Sequence, residues 1–190
     1  MIPNNRAFNG KETFEEDGKT FYRSWKLLRC GKVRLVFQVK DIRSSCKQGI
    51  AFFFSSNPVF KGTISINGQN RQLERRKRIR YVIPVSQDAP YDRLVMDLDI
   101  QDGYIRIANA SDFLDDHPEL IEKVSDQTGR TRKQFRGSTF VSGFSPSNMY
   151  GNTFWIETLA ENTFRFHCND HKMDDDFDDL IFDLEIMDTE

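Results

Sequence analysis

With 190 residues and a net charge of −2, the chain is sized for one compact domain, taken as 1–190, and lacks the strong basic excess of a dedicated nucleic-acid binder. No stretch approaches the roughly 20 apolar residues that span a bilayer, so membrane insertion is not expected. The opening Met1-Ile2-Pro3-Asn4-Asn5-Arg6 has no apolar signal run, and a cytoplasmic location is expected unless export is signal-independent.

Taken along the chain, apolar residues recur with period two, the pattern of strands that bury one face. Candidate strands begin with Phe21 to Leu28, then the run in which Val33, Leu35, Phe37 and Val39 alternate with Arg34, Val36, Gln38 and Lys40. Ile50 to Ser55 and Thr63 to Ile66 follow, the latter ending in an Asn67-Gly68 hairpin signal. Ile79 to Val85 is next. Leu94 to Gln101 then leads through Asp102-Gly103 into Tyr104 to Ala108, which predicts a second hairpin.

One helix is predicted, with Asp116 as N-cap, Pro118 in the first turn, Glu119 closing a capping box and Gly129 ending it after Leu120, Ile121 and Val124. Thr128 to Gly137 and Ser142 to Asn152 read as loops. Thr139 to Phe144, Thr153 to Thr158, Phe164 to Cys168 and Leu180 to Ile186 complete the strands. So many short strands predict an all-β fold, a two-sheet sandwich of jelly-roll type with one short crossover helix. Seventeen Phe supply large rings for its core. Cys30, Cys46 and Cys168 form no CxxC spacing and do not indicate a disulfide framework.

Charge is unevenly distributed. Six carboxylates fall between Asp170 and Asp179, and they need solvent, cations or a metal. Oxygen ligands on a flexible turn suit calcium, and Asn169, Asp170, Asp174, Asp175, Asp176, Asp178 and Asp179 are the candidate ligands, although the spacing is not that of an EF-hand. The bland alternative is a solvated acidic turn that keeps the neighbouring apolar strand from pairing with other chains.

The string from Asp174 to Asp183, DxDFDDLIFD, resembles an Asp-rich segment near the last strand of calcium-associated β-sandwich modules in bacterial surface and carbohydrate-handling proteins. Ile105 to Ser111 is similar to the inner strand of galactose-binding-like jelly rolls. These resemblances imply a calcium ion buttressing loops at one end of a sandwich, with glycan binding close by.

A sugar platform is available in Tyr150 and Trp155, which flank Gly151 and Asn152, with the amides of Asn148 and Asn152 for hydroxyls. Arg76, Arg78 and Arg80, set by strand alternation on the face opposite Ile79, Tyr81 and Ile83, offer an anion stripe for phosphate backbones or an anionic glycan, or else solubilise a strand or pair with the acidic tail. His167, Cys168 and His171 are adjacent, but Cys168 is in register with Phe164 and Phe166, a core position, so no transition-metal site is expected. No nucleophile elbow, HExxH or Walker loop is present, and no enzyme is expected. The expectation is a noncatalytic, calcium-stabilised recognition module, lectin-like, for a glycan. The alternative is an intracellular assembly protein that self-associates as a homo-oligomer, or binds a protein partner, through its acidic and basic faces.

Overall fold

The structure, a computed structural model, describes residues 13–28, 31–54, 60–74, 80–100, 104–112, 141–142, 152–170 and 176–189. Its strands are β1 (Thr13–Glu16), β2 (Lys19–Tyr22), β3 (Trp25–Leu27), β4 (Gly31–Ile42), β5 (Gln48–Phe54), β6 (Phe60–Ile66) and β7 (Gln69–Glu74). They continue with β8 (Arg80–Pro84), β9 (Arg93–Ile100), β10 (Ile105–Ser111), β11 (Val141–Ser142), β12 (Thr153–Ala160), β13 (Thr163–Asn169) and β14 (Leu180–Asp188). Two antiparallel sheets result, one ordered β1-β2-β12-β13-β14-β4-β9-β6-β7 and the other β11-β10-β5-β8, with β3 on β10. The fold is an all-β two-sheet sandwich, as the alternation in the sequence predicts. The described residues contain no helix, and the predicted helix from Asp116 to Gly129 lies outside them.

Alternation decides which face is buried. Phe37, Leu94 and Leu184 share one row across β9, β4 and β14, and all are fully enclosed. Beyond the row of Phe166, Phe182 and Val39, the row Phe154, Cys168 and Leu180 is equally buried. From the other sheet, Ile107, Ile50 and Phe52 meet this surface, with Phe37 and Phe52 in edge contact at 5.2 Å. Phe166 lies at the centre, stacked on Phe182 at 4.6 Å and touching Phe154 and Trp25 at 5.2 and 5.8 Å.

Local turn chemistry explains two connections. Asn67-Gly68 joins β6 to β7 with both residues at positive φ, 48° and 84°, the two-residue turn that matches strand twist. Asp17-Gly18 does the same between β1 and β2, at 49° and 72°. Asp102-Gly103 lies outside the described residues, and β9 and β10, predicted to pair across it as a hairpin, do not pair with each other. Both edges of β9 are taken, by β4 and β6, so the chain crosses to the other sheet, where β10 pairs with β5, β3 and β11. The predicted strand from Phe21 to Leu28 is two strands in two sheets, β2 and β3, parted by a bend at Arg23-Ser24.

The packing predicts that Phe166→Ala costs about 3–5 kcal/mol, whereas Leu159→Ala, at a site 41% exposed, costs less than about 0.5 kcal/mol. Urea unfolding midpoints of the two variants check this contrast.

Candidate functional site

The core is apolar except at one end. There β5 begins, β10, β13 and β4 finish, and β12 and β14 start, because Thr153 pairs with Asn169, Cys168 with Leu180, Leu180 with Ile42 and Ser111 with Gln48. Inward positions that hold Ile or Phe elsewhere hold Gln48, Asn109 and Ser111 here, and all three are fully enclosed. Facing them are Asn152, Asn169 and Asp170, equally enclosed.

Buried polar groups need partners, and two of the hydrogen bonds they make here bridge the sheets. The Ser111 hydroxyl donates to Asn152 Oδ1 at 3.0 Å, and Asn109 Nδ2 donates to the Asn169 carbonyl at 2.7 Å. Gln48 Nε2 donates to the Cys46 carbonyl at 3.2 Å. Asn109 Oδ1 and Gln48 Oε1 have no hydrogen-bond partner among the described residues, so acceptors outnumber donors around them.

Next to this layer lies the described part of the acidic turn. The Asp170 amide donates to Asp179 Oδ2 at 2.7 Å, and the Ser44 hydroxyl donates to the Asp170 carboxylate. Asp179 is only 4% exposed, and its carbonyl accepts from the amides of Arg43 and Ser44 at 3.3 and 3.4 Å. The Arg43 side chain reaches Asp178 and, at 2.9 Å, Asp41. Burial pushes the Asp178 carboxyl above the ordinary carboxylate value, and the adjacent Asp176 carboxylate adds to this, while Arg43 pulls it back. Burial also raises the Cys168 thiol, with the Asp179 charge acting in the same direction. Phe177, at φ 52°, is buried with its ring 5.0 Å from Phe21, which lies opposite Trp155 on the outer face of the large sheet. Among the described residues no three His, Cys, Asp or Glu side chains converge as a metal-holding group.

Of the residues singled out in the sequence, Asn169, Asp170, Asp176, Asp178, Asp179, Asn152 and Trp155 are described. Asn148, Tyr150, Asp174, Asp175, Arg76 and Arg78 lie outside the described residues, and Arg80 is placed by its backbone in β8, opposite Phe53. Asn152 is enclosed within the polar layer. Trp155 is half-buried on the outer face of the large sheet, stacked at 3.9 Å on His167 with 1° between planes, and Lys19 Nζ lies 4.1 Å from its ring centroid. Ser44, Asn109, Ser111 and Gln48 were not singled out, because nothing local in the sequence marks an inward polar residue at the end of a strand.

On that outer face, His167 Nε2 is 3.3 Å from Glu157 Oε2. Burial lowers its pKa below the ordinary 6.5, and Arg165 and Lys19 act in the same direction, against Glu157. No family model matches this chain, and no curated protein or solved structure shows significant similarity to it.

Two outcomes are expected. Asp179→Leu strands the Asp170 amide and costs about 1–3 kcal/mol, whereas Asp179→Asn keeps an acceptor and costs less, as denaturant titration will read. Because the folded His167 binds protons less readily than the unfolded one, its contribution is complete above pH 6.5 and is lost as pH falls through the window below. Unfolding free energy measured between about pH 5 and 7 therefore rises with pH in the wild type, and the rise is smaller in His167→Phe.

Proposed function

We propose that this domain is a noncatalytic recognition module for a glycan, with calcium bound by the acidic turn ordering the end at which the glycan sits. One observation carries the reading: the pairing of Thr153 with Asn169 sets Asn152, at the end of the Ser142 to Asn152 connection, beside Asp170, where the acidic turn begins. Two segments expected to serve recognition thereby leave the same end of a rigid sandwich, the usual arrangement for binding loops on a scaffold.

The electrostatics favour a cation. Burial raises the proton affinity of the Asp178 carboxylate and the neighbouring Asp176 charge adds to it, and Asp170 and Asp179 are enclosed. Calcium tolerates irregular sets of six to eight oxygens, which suits carboxylates spread along a turn better than the strict octahedron of magnesium. Asp176 and Asp178 are the described candidates to hold it, with Asp174 and Asp175 between them and Asp170 in the sequence. Bound there, the ion would relieve carboxylate repulsion and restrict the turn. Asn169 and Asp170, whose backbone the layer holds, would keep the neighbouring connection in place.

Thermal unfolding in EDTA, in millimolar calcium and in millimolar magnesium tests this. A calcium-specific rise of about 3 °C or more is expected. Identical midpoints in all three, especially with oligomers that dissociate in salt, would overturn the reading in favour of charge-driven assembly.

A further inference from the structure

Arg43, the residue after β4, is tied to the acidic turn twice. Its backbone amide, with that of Ser44, donates to the Asp179 carbonyl, and its guanidinium donates through Nη1 to Asp178 Oδ2 at 2.5 Å. The same guanidinium donates through Nε to Asp41 Oδ2 at 2.9 Å, so one cation bridges a strand end and the turn.

The two halves of this bridge are not equivalent. Asp41 is held by its surroundings: its Oδ1 accepts from the Ile42 amide at 3.0 Å, and the Tyr91 hydroxyl lies 3.4 Å from the same oxygen. The Asp41 hydrogen bond is also the largest influence raising the Arg43 guanidinium above its ordinary value, ahead of the Asp178 charge. Asp178 belongs to the turn and has the Asp176 carboxylate beside it. The Arg43 side chain is 63% exposed, and an ion pair so open to water is weak and readily exchanged. The guanidinium can therefore leave Asp178 and stay held by Asp41.

A divalent cation at the turn draws on the same carboxylate. It brings two charges where the guanidinium brings one, and it gathers several oxygens at once. While Arg43 sits on Asp178, an arriving ion meets an engaged oxygen and a like charge. At a separation of several ångströms that repulsion alone amounts to a factor on the order of ten in affinity at low salt.

We propose that Arg43 is a tethered competitor at the acidic turn: it holds Asp178 when no divalent cation is bound, yields it to calcium while keeping Asp41, and so sets the calcium concentration at which the turn responds. This rests on the calcium reading above and adds to it a residue outside the turn that governs the threshold. It also fixes a sign. Removing a competitor tightens calcium binding, whereas removing a residue that merely orders the turn weakens it.

Calorimetric titration of calcium into the full chain at low ionic strength tests this, with the wild type beside Arg43→Gln, Arg43→Lys and Arg34→Gln. Arg34 is an exposed Arg near the start of β4 that pairs with Asp97, so its variant removes the same charge away from the turn. Arg43→Gln is expected to bind calcium about tenfold tighter, Arg43→Lys to fall between it and the wild type, and Arg34→Gln to match the wild type. In EDTA, Arg43→Gln should unfold about 2 °C lower than the wild type, because Asp41 and Asp178 lose their shared counter-charge, and its calcium-induced rise should be the larger one. A misfolded variant cannot show both. Unchanged or weaker binding in Arg43→Gln, or equal tightening in Arg34→Gln, would overturn the competitor and leave calcium at the turn. Binding by Arg43→Gln alone would support both, and no binding by any of the four proteins would overturn the calcium reading and the competitor with it.

Discussion

Enclosing amides and carboxylates at one end of an otherwise apolar sandwich constrains everything around them. Each such group must meet a partner or cost about 1–3 kcal/mol, and for Ser111 and Asn109 the partner belongs to the opposite sheet. Ser111 answers Asn152 and Asn109 answers the Asn169 carbonyl, so these contacts form only when the sheets meet in one alignment. A slip of one residue in β10 would carry Asn109 and Ser111 to the outer face and bring Arg106 inward, so the layer specifies register as well as contributing stability.

That alignment distributes chemistry over the molecule. The aromatic interior of Phe37, Phe52, Phe166 and Phe182 keeps its rings together, and the strand ends beyond it become the place where acids collect. The segment between β4 and β5 is the tie between the two: its backbone holds the Asp179 carbonyl, Ser44 holds Asp170, and Arg43 spans Asp41 and Asp178. Several acids of the C-terminal stretch are therefore answered from within the chain. Asp183 belongs to the same set, since burial alone would raise its carboxyl, but Arg165 and Lys40 outweigh that and hold it below the ordinary value.

Strands whose apolar residues alternate strictly were legible in the sequence, as β4, β9, β13 and β14 illustrate, because one buried face dictates the period. The Asn67-Gly68 turn was legible because its dipeptide requires the positive φ it adopts. Asp17-Gly18 carried the same signal, but β1 and β2 are four residues each and their apolar positions too few to mark a pattern. Asp102-Gly103 misled for the opposite reason: a turn signal says that the chain bends, and whether a strand has a vacant edge to receive the next depends on distant partners. The clustered acids were visible, whereas the side chains that meet them, Arg43 and Ser44, lie remote in sequence and reach them only through strand pairing.

In the proposed reading, the acidic turn and the connection ending at Asn152 form one calcium-responsive end of the sandwich. Backbone amide NMR shifts followed during a calcium titration address it residue by residue. Shifts are expected to concentrate at Asp170 and Asp176 to Asp179 and to extend to Asn152, Thr153 and Asn109, with Glu161 and Asn162 at the other end of β12 and β13 unmoved. Shifts confined to the acidic turn, scattered over both ends, or absent would contradict it.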